Sequence, residues 1–309
     1  MSINRIKTES HEEWLALRSK YIGGSDAGSV IGMNPYKGAL TLWAEKTGKV
    51  KPFEGNVITE VGSYLEALVA SMFERETGKT VHRVNATLVN DDYPFACANV
   101  DRRIVGENAL LECKTTNSAP NMKLFANGEY PESWYAQMTH YLAVTGAERI
   151  YLAVLIACRE FKVFTLERDE AEIAALMTAE KAFWQHVVDN TPPEVSGINS
   201  DSDTLCILSG TAKPVTRDLT SELALLKQYD IAAQEAKSAA DKLNKLKNQL
   251  CGLLGECEEG KAEGYHIRWT PVTRSTFQTK QFQAANPSID LRPYYTSSTS
   301  RRFDFTKEV

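Results

Sequence analysis

The stretch NVDRRIVGENALLECKTT, residues 99–116, brings an aspartate, a glutamate and a lysine into a short, largely apolar run. Successive side chains of a strand point to opposite faces. In a strand over 109–116, Leu110, Glu112 and Lys114 therefore share one side, and Leu111, Cys113 and Thr115 share the other, which can pack on a core. The preceding segment 95–105 also reads as extended, and the GEN of residues 106–108 is a natural hairpin turn. A loop of even length puts Asp101 opposite Glu112 or Lys114, on their face. A symmetric three-residue turn puts it opposite Cys113, on the wrong face, so an even loop or a bulge is required.

A face carrying Asp101, Glu112 and Lys114 has a chemical use. The two carboxylates suit Mg²⁺, a hard cation that prefers carboxylate oxygens and keeps several waters, and the backbone carbonyl of Cys113 offers a further oxygen. Lys114 would sit beside one of those waters, orienting or deprotonating it and stabilising charge on a phosphate. A half-exposed strand with a solvated Glu–Lys pair, worth under ~1 kcal/mol, meets the same spacing.

Three other features bear on that choice. Glu66 borders the apolar stripe of a helix over 62–77 (Leu65, Leu68, Val69, Met72, Phe73), where a carboxylate is costly unless paired; an ordinary boundary glutamate is the alternative. Gln137 and Tyr141 stand one helical turn apart with Trp134 on the same side, as site groups or as simple core packing. Arg18 precedes IGGSDAG, where Ser25 or Asp26 can cap a helix and glycines expose backbone N–H groups. That is either an anion site, which Asp26 weakens unless it points away or binds a metal, or a plain cap.

The whole chain narrows the classes. Its 309 residues are 43% hydrophobic, enough for one large domain or a domain with an appendage, and a net charge of −5 excludes a globally basic nucleic-acid binder. An enzyme that gathers carboxylates around metal can still carry a local basic groove. No apolar run approaches ~20 residues, so no membrane span is expected, and MSINRIKTESHEEW lacks a signal-peptide core. The six cysteines form no C-x-x-C pair and read as reduced residues of a cytoplasmic protein. The fragment ECKTT lacks the upstream glycines of a P-loop, and GGSDA lacks the last glycine of a nucleophile elbow.

The prolines and small residues of NTPPEVSGINSDSD divide a core, 1–195, from an accessory part, 196–309. In the core, helices are expected over 10–20, 26–31, ALTLWAEKTG, 62–77, 131–145 and 169–190, and strands near 80–89, 95–105 and 109–116, with RIYLAVLIAC and EFKVFTLE as a strand pair. The class is α/β (α+β). Beyond it, the charged stretch 218–256 suggests a helical hairpin or a coiled-coil-like arm, and YHIRWTPV a small β extension. Lys237, Lys242, Lys245 and Lys247 read as a solvated helix face or as a track for phosphates.

Four blocks, taken in order, go further: YIGGSDAGSVIGMNPYKGALTLWAEKTG, GSYLEALVASMFERETG, ANVDRRIVGENALLECKTT and WYAQMTHYLAVTG. Together they resemble the YqaJ-type phage recombination exonucleases, which belong with the lambda exonuclease group of the PD-(D/E)XK nuclease superfamily. The likeness covers roughly residues 10–160. It implies a restriction-endonuclease-like core, a mixed central sheet flanked by helices. It implies Mg²⁺-dependent digestion of linear double-stranded DNA in the 5′→3′ direction, with Mn²⁺ able to substitute. The product would be a 3′ single-stranded overhang for a single-strand annealing protein. The enzyme would be a ring-shaped homo-oligomer, a trimer, encoded by a phage or prophage and working in the bacterial cytoplasm. Under this resemblance Asp101, Glu112, the Cys113 carbonyl and Glu66, directly or through water, hold metal. Lys114 is the catalytic lysine, and Gln137 with Tyr141 is the Q-x-x-x-Y element. Arg18, Ser25, Asn99 and Gln137 bind the 5′-phosphate, Asn99 standing where the lambda enzyme has a serine. A related endonuclease or repair nuclease on the same core, or a DNA-end-binding recombination scaffold, are the competing readings.

Overall fold

The structure, a computed structural model, describes residues 2–296 together with Phe303 and Phe305. Contacts divide the chain into two units, Met1–Thr211 and Ala212–Val309. The first unit runs β1 (Ile3–Ile6), α1 (His11–Arg18), β2 (Ile22–Gly23), α2 (Gly24–Val30), α3 (Ala39–Lys46), α4 (Val57–Thr77), β3 (Val81–Arg83), β4 (Thr87–Asn90), β5 (Ala96–Ala98), β6 (Arg102–Ile104), β7 (Ala109–Thr116), α5 (Ala119–Ala126), α6 (Glu132–Thr145), β8 (Arg149–Ile156), β9 (Glu160–Glu167), α7 (Glu170–Val188) and α8 (Asn199–Leu208).

These strands make two sheets. One has five strands in the order β3-β6-β7-β8-β9, mixed because β7 and β8 pair in parallel while its other pairs are antiparallel. The other has four, β1-β4-β5-β2, with β2 parallel to β5. The long strands expected near 80–89 and 95–105 are each two short ones. At Val84–Ala86 and again at Asn99–Asp101 the chain leaves one sheet for the other, so an extended run is cut where it changes partners.

Strand β7 is covered on both sides. Leu111 and Cys113 pack on Val69, Ala70 and Phe73 of α4, while Leu110 faces the cluster that holds Met138 and Leu142 of α6. Helix α4 begins where the Asn56 side chain accepts from the N–H groups of Ile58 and Thr59, and ends at Gly78, whose φ of +68° suits a residue without a Cβ. Leu68, read from sequence as part of its apolar stripe, is exposed.

The boundary falls later than residue 195 because α8 belongs to the first unit. Its Asp201 is buried and accepts hydrogen bonds from the Thr41 N–H and hydroxyl and from the Ser196 N–H and hydroxyl. A Cβ on Gly38 would stand 2.3 Å from Asp201 Oδ1, so the glycine before α3 makes room for that carboxylate.

The second unit corrects the expected helical hairpin. Residues Leu223–Leu254 form one 32-residue helix, α9, because nothing in its alanine-rich middle breaks a helix and its glycine, Gly252, comes only in the last turn. The small β extension is a two-stranded hairpin, β10 (Glu259–Ala262) and β11 (Tyr265–Arg268), turned at Gly264 with φ +74°. A short helix, α10 (Thr279–Ala285), follows. Among the described residues no helix is long and apolar enough to cross a membrane.

Candidate active site

The register of β6 on β7 supplies the geometry that Asp101 requires. Arg102 pairs with Leu111 and Arg103 with Leu110, across the even, four-residue loop 105–108. The next position back from Arg102 is therefore level with Glu112, and Asp101 comes to that face. Ladder pairing stops at Arg102, and the Cys113 N–H is taken by Asp101 Oδ2 at 2.7 Å. A residue's N–H and C=O leave a strand on the same edge, so the Cys113 carbonyl is directed toward the edge where Asp101 sits.

Glu112 is buried. Its Oε1 receives the Lys114 ammonium at 2.6 Å and the Gln137 amide at 2.8 Å, and its Oε2 is buried with no hydrogen-bond partner. A buried carboxylate oxygen left bare costs about 1–3 kcal/mol or more, so its burial calls for a partner. Burial pushes the Asp101 carboxyl well above its usual value and the Glu112 charge adds to this, against Lys114 and the Cys113 N–H. Burial opposes the charge on Lys114, but Glu112 and Asp101 prevail and hold its ammonium more firmly than usual. The Lys114 ammonium also lies 5.9 Å over the Trp134 ring.

Glu66, expected near the metal directly or through water, is met by arginines. It lies on α4, across the sheet from Glu112, and meets the side chain of Arg102, which shares the face of Leu111. Arg102 Nη1 bridges Glu66 Oε1 at 2.5 Å and the Asp101 carbonyl at 2.7 Å, and Arg83 adds a contact at 3.8 Å. Glu66 is thus linked through Arg102 to the backbone at Asp101.

On α6, both amide hydrogens of Gln137 are committed, one to Glu112 and one to the Tyr141 hydroxyl at 3.1 Å. Gln137 thus orients Glu112, and in this arrangement both hydrogens point to protein groups. The Tyr141 hydroxyl donates to the Asn99 carbonyl at 2.9 Å, and burial, with Glu112 and Asp101 nearby, keeps it protonated. Its ring lies against Gly24, where an added Cβ would come within 2.4 Å. The second glycine of IGGSD is there for that approach.

The remaining pocket residues do converge. Pairing of β2 with β5 sets the start of α2 beside the segment that leads to Asn99. The Arg18 guanidinium donates to the Ser25 hydroxyl at 2.5 Å and stacks 5.3 Å over Trp14. Trp14 Nε1 donates to Asn99 Oδ1 at 3.3 Å and the Thr87 hydroxyl donates to the same oxygen at 2.8 Å, so the Asn99 amide keeps its donor end for another group. Asp26 stands beside this pair, its Oδ1 3.6 Å from the same Arg18 Nη2 that meets Ser25. Burial alone would raise its pKa, yet Lys46 at 2.8 Å and Arg18 at 3.6 Å hold the carboxylate well below the ordinary range.

These residues fit a hydrated divalent cation. The buried Glu112 carboxylate is paired with Lys114, the half-buried Asp101 stands beside it, one Glu112 oxygen is bare, and a strand carbonyl faces the same edge. Among the described residues no three His, Cys, Asp or Glu side chains form a closed metal cage. A two-carboxylate site of this kind suits Mg²⁺, which retains several waters, rather than structural zinc.

The family follows from comparison. A model of the YqaJ-like viral recombinase domain matches residues 13–148, which span every residue of this constellation. The uncharacterized protein YqaJ of Bacillus subtilis (strain 168) is 37% identical over 286 residues, 91% of this chain and 89% of its own. The chain belongs to the YqaJ-like viral recombinase family. An alkaline exonuclease of Laribacter hongkongensis, solved alone and in complex with dAMP, superposes with TM-scores of 0.49 and 0.50 at 21% identity, over 58% of this chain and 93% of the other. The latter comparison shows the YqaJ-like fold to be shared with that enzyme.

Sequence reading passed over three members of this YqaJ-like site: Arg102, Trp14 and Lys46. Each is a common residue in an unremarkable local pattern, and each gains its role from a partner 20 to 85 positions away: Glu66 for Arg102, Asn99 for Trp14, and for Lys46 the Asp26 carboxylate with the Arg18 and Tyr21 carbonyls. One signal was available, an arginine directly after the aspartate and so on the opposite face of the extended chain from it.

Proposed function

We propose that this chain is a metal-dependent deoxyribonuclease that digests linear double-stranded DNA from its ends, 5′→3′, leaving a 3′ single-stranded overhang. The observation that carries it is the bare, buried Glu112 Oε2 beside Asp101 and Lys114. The alkaline exonuclease of similar fold supports the substrate class. Asp101, Glu112 and the Cys113 carbonyl would hold Mg²⁺, or Mn²⁺ in its place, which when bound supplies Lewis acidity toward the phosphodiester oxygens.

The protein groups do the rest. Lys114, kept protonated, orients the attacking water and offsets charge that grows on the phosphate, a role suited to a positioned cation rather than a base. Gln137 holds Glu112 in place, and Arg102, backed by Glu66, holds Asp101. Arg18, Ser25 and Asn99 bind the terminal 5′-phosphate, with Trp14 keeping Arg18 and Asn99 in register. The same reading includes a ring-shaped trimer around the duplex and a single-strand annealing partner for the overhang.

Digestion of an end-labelled linear duplex tests this, with and without Mg²⁺ and with 5′-phosphate or 5′-hydroxyl ends. The wild type should require metal, prefer phosphorylated ends and spare a covalently closed circle. Lys114→Ala should lower the rate at least about 100-fold, the scale of losing one preorganised charge. Undiminished activity in that variant, or cutting of the circle, would reject the assignment.

A further inference from the structure

Helix α9 carries an apolar seam that the described residues leave uncovered. From Leu225, alternating steps of four and three residues give nine positions that end at Leu253. The first two are leucine and tyrosine, the middle three are alanine, and the last four are leucine. This is an unbroken heptad pattern over four repeats. Yet no residue of α9 is buried, and Leu253 is 84% exposed. Among the described residues, the contacts with the seam lie near its ends. Phe303 and Phe305 lie against Tyr229, and the β10–β11 hairpin forms an open apolar groove of about 420 Å³ with Leu250, Leu253 and Leu254. A solvated helix gains little stability from propensity alone, so such a face needs a partner.

The charges beside the seam say which partner and which direction. On one flank, directly before Tyr229, Ala236, Leu243 and Leu250, lie Gln228, Glu235, Lys242 and Gln249; on the other, Lys247 follows Leu246. Two copies side by side in parallel would set Lys242 against Lys247 of the other copy, twice, with Glu235 facing only Ala240. In antiparallel copies the first flank meets itself. Glu235 then meets Lys242 of the second copy, twice, and Gln228 meets Gln249. In that register Leu225 packs on Leu250 and Tyr229 on Leu246, and the two-fold axis passes between Ala236 and Ala239, where small side chains let the backbones approach.

We propose that α9 is a self-association arm that joins two copies of this chain through an antiparallel coiled coil. This does not rest on the nuclease reading. The arm joins copies whatever the first units assemble into, so the masses are compared as a ratio.

Sedimentation of the full chain at tens of micromolar, on the order of the range where modest coiled coils form, tests the proposal. The wild type should have at least twice the mass of Leu243→Asp/Leu246→Asp. Glu235→Lys and Lys242→Glu should each associate about tenfold more weakly, as two attractive pairs become two repulsive ones. An equimolar mixture of the two variants should recover wild-type association, because each restores the other's pairing. Equal masses for the wild type and the seam variant overturn the proposal, whether the seam is covered by the chain itself or by another protein. Stronger association of Lys242→Glu alone points to parallel pairing and overturns it, as does unchanged association of both charge variants.

Discussion

At the scale of single residues, the site depends on side chains whose value lies in what they exclude or hold. Gly24 makes the point most directly. Its missing Cβ is where the Tyr141 ring lies, and Tyr141 in turn anchors Asn99 and Gln137. Gly24→Ala should therefore cost roughly 1–3 kcal/mol, as overpacking does. Thermal unfolding measures this, and a second substitution, Tyr141→Leu, should recover part of the loss by removing the ring. A Gly24→Ala protein as stable as the wild type would show that the ring can move aside. The carboxylate–lysine pair was legible in sequence because a strand's alternation puts Glu112 and Lys114 together unaided. The commitment of Gln137 to Glu112 was not, because it joins a helix and a strand whose packing no local pattern states.

At the scale of elements, α6 must be held against both α7 and the four-stranded sheet for Gln137 to reach Glu112. His140 does this from a fully buried position. Its Nδ1 lies 2.8 Å from Glu180 Oε1 on α7, and its Nε2 donates to the Cys97 carbonyl on β5 at 2.9 Å. Burial would lower its pKa, but Glu180 and the carbonyl prevail and raise it above the ordinary value of about 6.5. The folded state then keeps a proton that the unfolded chain releases. The resulting stability is complete below about pH 6.5 and is lost as pH rises through the higher folded value. The difference in melting temperature between wild type and His140→Gln should therefore shrink as pH is raised from 6 through the alkaline range. A difference that grew with pH would mean that the imidazole is neutral in the fold. Helices and strands with strong periodicity were legible at this scale: α4, α6, α7 and the β8–β9 pair stand close to where the pattern put them. The two breaks in the extended runs were not, since Asn99–Asp101 has ordinary extended-chain composition and only the presence of two sheets makes it a crossing.

At the scale of the molecule, the chain divides its labour between units. Both principal hydrophobic clusters are built wholly from residues up to 187, and the last helix of the first unit, α8, is fastened by Asp201 to the start of α3. A chain ending at Thr211 should fold on its own and digest linear duplex at a rate comparable to the full chain. Far-UV circular dichroism with the end-labelled assay checks both, and an insoluble or inactive product would show that the first unit's core leans on the second. A chain ending at residue 195 should be less stable, because it loses α8 and leaves Gly38 and Thr41 without Asp201. That difference could not be read from composition: the prolines at 192 and 193 look like a boundary, and the polar run after them conceals a carboxylate that is buried.

The crossing at Asn99–Asp101 has one more consequence. Asn99 serves the proposed phosphate pocket and Asp101 the hydrolytic centre, and only Val100 separates them. Two residues of chain span at most about 7 Å, so the two stations are tied together by covalent bonds rather than by the packing of separate elements. Under the proposed function this linkage would act as a built-in ruler: the distance from a held strand end to the bond that breaks would not drift with breathing of the sheets, and the length of each bite would be written into three consecutive residues.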